Sequence, residues 1–184
     1  MHTYDKYYGS FEVTGNDLRV TDPCYELEST GGMTLINVKP GKWYTHAVII
    51  DKQDSCGERV ASLTVVHESY PDHYRPSIDV DCKPIIAVDS GQAGFFDVNK
   101  YPKENGDIRE KFYDENCRLT LSEEHGGIVF NSGVVTSSGY GDGCYRLYYD
   151  MDSDINSNGE IIAAEIVFIE DDEDDGYDDE DEDY

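Results

Sequence analysis

Two loops hold most of the residue types that bind ligands or move protons. Asp89-Ser90-Gly91-Gln92-Ala93-Gly94-Phe95-Phe96-Asp97 follows a short apolar run and combines carboxylates, a carboxamide and two aromatics. Asp89, Gln92 and Asp97 could converge there on a ligand or a metal. The competing expectation is a tight loop held by Asp and Gln hydrogen bonds, with Phe95 or Phe96 in the core. In Ser137-Ser138-Gly139-Tyr140-Gly141-Asp142-Gly143 the glycines stand at alternate positions. Such spacing permits positive φ and close backbone approach, and consecutive amides can cradle an anion. A plain strand-to-strand crossover, with Asp142 bonding its own backbone, fits the same residues. A strand rather than a helix follows, and no Gly-Lys-Ser/Thr occurs, so neither a dinucleotide fingerprint nor a P-loop is present. The ligand-binding candidates are Asp89, Ser90, Gln92, Asp97, Ser138, Tyr140 and Asp142. The two loops are expected at one end of the domain, around a polar site floored by Tyr140 and Phe95 or Phe96.

Other motifs carry less. Cys24, in Asp22-Pro23-Cys24-Tyr25, needs a base or a positive environment to become a thiolate. Acidic neighbours should instead raise its pKa, which favours a structural thiol. Residues 154–165 match a calcium loop, with Asp154, Asn156 and Asn158 at positions 1, 3 and 5, Gly159 at 6 and Glu165 at 12. The flanks read as strands, so Glu165 falls about 20 Å along a strand from the turn, at about 3.3 Å per residue. The expectation is a hairpin turning at Asn158-Gly159. Weak calcium binding by Asp150, Asp152 and Asp154 stays open. No G-x-S-x-G elbow or H-E-x-x-H helix occurs, and no catalytic residue, metal centre or cofactor is assigned. The five cysteines lack a C-x-x-C pair, which argues for reduced thiols rather than zinc or a disulfide framework.

The elements that must position these loops are mostly short strands. Phe11 to Val20 reads as a hairpin about Gly15-Asn16-Asp17. Strands follow at Leu35 to Val38, Trp43 to Ile50, Val60 to His67 and Pro84 to Val88. Both faces of Val60 to His67 are apolar enough to be covered. Residues 68–83 read as a loop. One helix starts at a cap on Asp107, with Glu110 completing a capping box, and ends near Cys117 to Leu121. Ile108, Phe112 and Leu119 lie at helical spacing. His125-Gly126-Gly127 reads as a turn, with strands at Ile128 to Phe130, Gly133 to Val135, Cys144 to Tyr149 and Ile161 to Ile169. This pattern predicts a mainly β, antiparallel sandwich or partly open barrel over residues 1–169, with one short helix.

Charge bounds the partners. The chain has 184 residues and a formal net charge of -26. Residues 170–184 hold twelve acids and no base, a composition that predicts a disordered tail. The other 28 acids face 14 basic residues, so the body stands at -14. That opposes direct binding of nucleic acid or an anionic membrane. With no apolar span of about 20 residues and no leader pattern at Met1 to Asp5, a cytoplasmic location is expected.

The Asp22-Pro23-Cys24-Tyr25 segment, the Lys39-Pro40-Gly41-Lys42-Trp43 turn, both glycine loops and the closing Ile161 to Ile169 strand occur in this order. Together, over residues 10–169, they resemble the bacterial and phage domain-of-unknown-function family 4241. The resemblance brings no established activity; its phage members imply a role in host takeover or evasion of host defence. Two hypotheses follow. One is a non-enzymatic, acidic accessory protein that engages a basic protein partner. The other is a small-ligand or nucleotide site in the two glycine loops, for sequestration or hydrolysis.

Overall fold

Alternating runs such as His2–Val13 and Gly41–Asp51 and mostly apolar, buried ones such as Glu58–His67 and Ile161–Val167 form the strands, which stack as two antiparallel sheets around a shared core. The computed structural model describes residues 2–51, 57–70, 84–154 and 157–170. Six strands form the first sheet: β1 (His2–Val13), β4 (Gly41–Asp51), β5 (Glu58–His67), β11 (Ile161–Val167), β10 (Gly143–Met151) and β6 (Ile85–Val88), side by side in that order. The second sheet runs β3 (Met33–Ile36), β2 (Asp17–Thr21), β7 (Gln92–Asp97), β9 (Gly133–Ser137) and β8 (Gly126–Val129). Both sheets are open, so the fold is the sandwich and not a closed barrel. The predicted tail beyond residue 170, the loop beyond residue 70 and the turn before Gly57 lie outside the described residues.

Inward-facing side chains supply the main core. Trp43, Ala47 and Ile49 from β4, Leu63 and Val65 from β5, Leu147 from β10 and Ile166 from β11 are fully buried against Leu18, Phe95 and Val134 of the facing sheet. Strand β5, between β4 and β11, is buried from Val60 through His67, as its apolar faces predict. At the edge, β6 alternates instead: Ile86 and Val88 are buried while Ile85 is exposed.

The helix α1 (Asp107–Thr120) covers the outer face of the second sheet. Phe96, Tyr101 and Phe112 meet edge to face beneath it, with centroids 5.1–5.4 Å apart. Its buried stripe is Phe112, Asn116 and Thr120, at i, i+4 and i+8. Ile108 is not part of that stripe and is 78% exposed. The expected cap on Asp107 is also corrected. Gly106 occupies the N-cap at φ 126° without a side-chain hydrogen bond, and Asp107 and Glu110 lie in the first turn. There they favour the helix through its positive end.

Three further expectations change. Residues 11–20 do not form a hairpin, because β1 pairs with β4 and β2 with β3 and β7. The Thr14–Asn16 turn instead carries the chain between sheets, and Thr14 donates its amide and hydroxyl to Asp97 Oδ2 at 3.0 and 2.7 Å. Gly126 and Gly127 belong to β8 rather than a turn: a Cβ on Gly126 would collide with the Val135 carbonyl of β9. The hairpin turn falls at Phe130 and Asn131, both at positive φ (48° and 54°), closed by Ser132 N donating to Val129 O at 2.7 Å. These are the dihedrals of a type I′ turn.

Candidate functional site

The β6–β7 and β9–β10 connections both pass from one sheet to the other, and they do so side by side. Gln92 pairs with Ser137, Gly143 pairs with Val88, and Ser138 N donates to Gly91 O at 3.0 Å. Gly91 and Gly141 both lie at positive φ, and a Cβ on Gly91 would stand 4.0 Å from the Gly141 Cα. The two glycine loops therefore meet at one end of the domain. They meet because both are sheet-to-sheet crossovers.

The anchor of this end is Asp22, which the candidate residues omitted. Fully buried, it accepts from Cys24 N at 2.8 Å, Asp89 N at 2.9 Å, Ser90 N at 2.7 Å and Ser90 Oγ at 2.6 Å. A buried carboxylate needs such donors to offset its lost hydration. The Asp22-to-Cys24 bond is an Asx turn that Asp-Pro chemistry announces. Its bonds to Asp89 and Ser90, across 67 and 68 residues, have no signal in the sequence.

Most of the predicted candidates spend their polar groups internally. Tyr25 OH donates to the Asp89 carboxylate at 2.7 Å. Gln92, buried, donates to Ser90 Oγ at 3.2 Å and Cys117 Sγ at 3.4 Å and accepts from Thr120 Oγ1 at 3.1 Å. It thereby fixes the end of α1 to the crossover. Ser138 Oγ donates to Gly141 O at 2.8 Å, as does Tyr145 OH at 2.6 Å. Asp142 is exposed in the second crossover.

Three placements depart from the expected pocket. Asp97 ends β7, the strand that Gln92 begins, so it cannot converge with Asp89; its buried carboxylate accepts from Thr14, and from the amide of Asn99 at 3.1 Å. Residues 92–97 are strand, not loop. Strand alternation sends Phe95 into the inter-sheet core and Phe96 beneath α1. Neither can floor a site at the crossovers. Tyr140, 61% exposed, lies instead against Arg59, whose guanidinium carbon is 5.0 Å from the ring centroid.

Burial, with the Asp22 carboxylate beside it, pushes the Cys24 thiol up to about 12. This is the direction expected from its acidic neighbours, and it leaves a neutral, weakly nucleophilic thiol. The calcium-loop resemblance at 154–165 fails on context. Glu165 lies in β11, paired with Tyr148 and Thr64, and its side chain accepts from Thr64 Oγ1 at 3.2 Å. Asp150 accepts from Tyr70 OH at 2.5 Å, and Asp152 from Lys39 Nζ at 3.1 Å. The β10–β11 connection is longer than a two-residue turn: Asp152 N donates to Glu160 O at 2.8 Å, and residues 155–156 lie outside the described residues.

Beside the crossovers, a cleft of about 380 Å³ separates residues 22–31 from the start of α1. It is lined by Cys24, Asn105, Gly106, Arg109, Glu110 and Tyr113. Arg109 Nη2 donates to Cys24 O at 2.8 Å, and Asn105 Nδ2 bridges to Glu26 Oε1 at 2.8 Å. The exposed carboxylates of Glu104, Asp107, Glu110 and Asp114 occupy the helix and its leading loop, and Asp89, also exposed, accepts from Tyr25 OH. None of these five forms an ion pair among the described residues.

The fold is thus a two-sheet antiparallel β-sandwich carrying one helix. Compared with family models, curated proteins and solved structures, the chain matches none.

Proposed function

We propose that this is a non-enzymatic, acidic binding protein that engages a basic surface on a protein partner. The observation that carries the reading is the run of exposed carboxylates at the start of α1 and the loop before it, Glu104, Asp107, Glu110 and Asp114, none of them in an ion pair among the described residues; Glu110 lines the 22–31/α1 cleft. Among the described residues Arg109 is the cation lining that cleft; its Nη2 donates to Cys24 O and its buried Nη1 has no hydrogen-bond partner. Like charges held close on a folded surface repel each other, and a partner rich in Lys or Arg relieves that repulsion on docking. The net charge of -26 adds long-range attraction for such a partner. A nucleic-acid-binding protein fits this chemistry, with the carboxylates standing in for phosphates. The setting in a phage or its bacterial host rests on the sequence resemblance alone.

A ligand site at the crossovers is the weaker reading, because the side chains of Ser90, Gln92 and Ser138 are already bonded within the protein. The test uses a lysine-rich basic peptide as probe. Glu104→Lys, Asp107→Lys and Glu110→Lys combined should slow association severalfold and flatten its salt dependence, against an unchanged far-ultraviolet spectrum. Equal on-rates and salt slopes for the two proteins would refute the acidic-face reading.

A further inference from the structure

The loop leading into α1 has a chemical liability that charge and fold alone do not describe. Asn-Gly occurs twice in the chain, at Asn105-Gly106 and Asn158-Gly159. In such a pair the glycine amide nitrogen can attack the asparagine Cγ, because no Cβ on the following residue blocks the approach. We propose that Asn105 is a site of spontaneous deamidation, and that its conversion breaks the contact between Glu26 and the loop before α1.

The reaction balances without any added oxidant or cofactor. Gly106 N loses its proton to hydroxide and forms a bond to Asn105 Cγ. The side-chain nitrogen leaves as ammonia, giving a cyclic imide. Water then opens the ring at either carbonyl, producing aspartate or isoaspartate.

Four features favour Asn105. Its side chain is exposed, and a Cβ built on Gly106 meets nothing within 4 Å, so the segment has room to close the ring. Gly106 N has no backbone or side-chain acceptor among the described residues, whereas Gly106 O is held by Glu110 N at 3.0 Å. Gly106 is also the N-cap of α1 and offers no side-chain cap. The unsatisfied amides of that first turn therefore face the negative charge that builds on the attacking nitrogen and on the tetrahedral oxygen.

Asn158 is likewise exposed, with open space at Gly159, but its backbone is held. Asn37 Nδ2 bridges to both Asn158 O and Gly159 O at 3.2 and 3.1 Å, and Gly159 N donates to Ser157 Oγ at 3.3 Å. Holding both carbonyls fixes the peptide plane that must rotate for ring closure. Carboxylates oppose the anionic step at both places, with Glu104 and Asp107 near one and Asp154 and Glu160 near the other. The difference between the sites therefore turns on backbone freedom.

The consequence is local and directional. Asn105 Nδ2 donates to Glu26 Oε1 at 2.8 Å. After conversion two carboxylates face each other there, and attraction becomes repulsion. Tyr101 OH still donates to Tyr25 O at 2.7 Å and Arg109 Nη2 to Cys24 O at 2.8 Å, so the loosening is confined to the cleft wall around Glu26.

Ageing the full-length protein in mildly alkaline buffer at body temperature tests the chemistry. The tryptic peptide Glu104 to Arg109 should gain the mass of an amide-to-acid conversion and split into aspartyl and isoaspartyl forms, several times faster than the peptide holding Asn158. An intact Asn105 amide when Asn158 has converted would overturn the site. Hydrogen exchange on freshly prepared Asn105→Asp and Asn105→Gln proteins tests the consequence. Faster exchange around Glu26 in Asn105→Asp than in Asn105→Gln supports the loosening, and equal exchange overturns it.

Discussion

Ser90 meets Asp22 twice: its amide donates to Oδ2 at 2.7 Å and its hydroxyl to Oδ1 at 2.6 Å. This pairing fixes the first crossover to the end of β2 and leaves no free lone pair of Asp22 pointing to solvent. Removing the carboxylate strands the amides of Cys24, Asp89 and Ser90 together. Asp22→Ala should therefore cost about 3 kcal/mol, within the usual range for orphaned buried donors. Asp142→Asn, exposed in the second crossover, should stay within about 0.5 kcal/mol of wild type. Urea denaturation of both variants decides the matter, and equal midpoints would remove Asp22 as the anchor.

Alkaline pH should loosen this fold. Burial raises the Cys24 thiol from 9.0 to about 12 and the Tyr101 hydroxyl from 10.0 to about 12, and it raises Tyr8 as well. A folded pKa above the unfolded value favours the protonated group in the folded state. The stabilisation is complete below about pH 9 and is lost as pH rises from there through about 12. Denaturant midpoints should be flat on the low side of that window and fall across it. A midpoint that rises with pH in that window would contradict the assignment.

Gly133 and Gly141 should respond differently to a side chain. A Cβ on Gly133 meets the Phe95 carbonyl and the Phe96 ring across the β7–β9 ladder. Gly133→Ala should cost about 2 kcal/mol or more, as overpacking against backbone does. Gly141 lies at φ 111° with open space around its Cβ, so Gly141→Val meets only backbone strain, about 1–2 kcal/mol. Thermal unfolding should rank Gly133→Ala below Gly141→Val, and the reverse order would argue against the β7–β9 packing.

Phe130 occupies the first central position of a type I′ turn at φ 48° and is 63% exposed. The turn favours Asn or Gly there, and an exposed ring gains little from burial. Phe130→Asn should raise stability by about 0.5–1 kcal/mol, from relief of left-handed strain. A drop in the unfolding midpoint would mean that the ring makes stabilising contacts with Ile108 or Pro102, its neighbours along the groove.

The long strands β4 and β5 are legible in their local sequence. Trp43, Thr45, Ala47 and Ile49 are buried at every second position of β4, and β5 is buried from Val60 through His67 because both of its faces are covered. Failures arose where pairing partners are distant. Gly15-Asn16-Asp17 is a sound turn signal, but nothing near it tells that β1 pairs with β4 instead of β2. The Asp107 cap was a fair inference from residue type, and Gly106 displaced it through a backbone conformation open to glycine. At the candidate site the two glycine loops meet as expected, but not through the apolar runs before them: Ile85–Val88 and Gly133–Ser137 stand in different sheets, and the loops meet as crossovers. The convergence of Asp97 fails, since recognising Gln92 to Asp97 as a strand reverses which residues share an end. Asp22 escaped notice because its partners lie far along the chain.

Strand β11 has no free edge: β5 flanks it on one side and β10 on the other. A nascent chain emerging from the ribosome can form the β4–β5 ribbon early, but it cannot join that ribbon to β10 and β6 until residues 161–167 have emerged. Until then two strand borders stay open to stray pairing, which makes the unfinished polypeptide a client for chaperones. Truncation before Ile161 should thus yield insoluble material rather than a smaller domain, and a fragment ending at residue 160, produced in cells, reports on that directly.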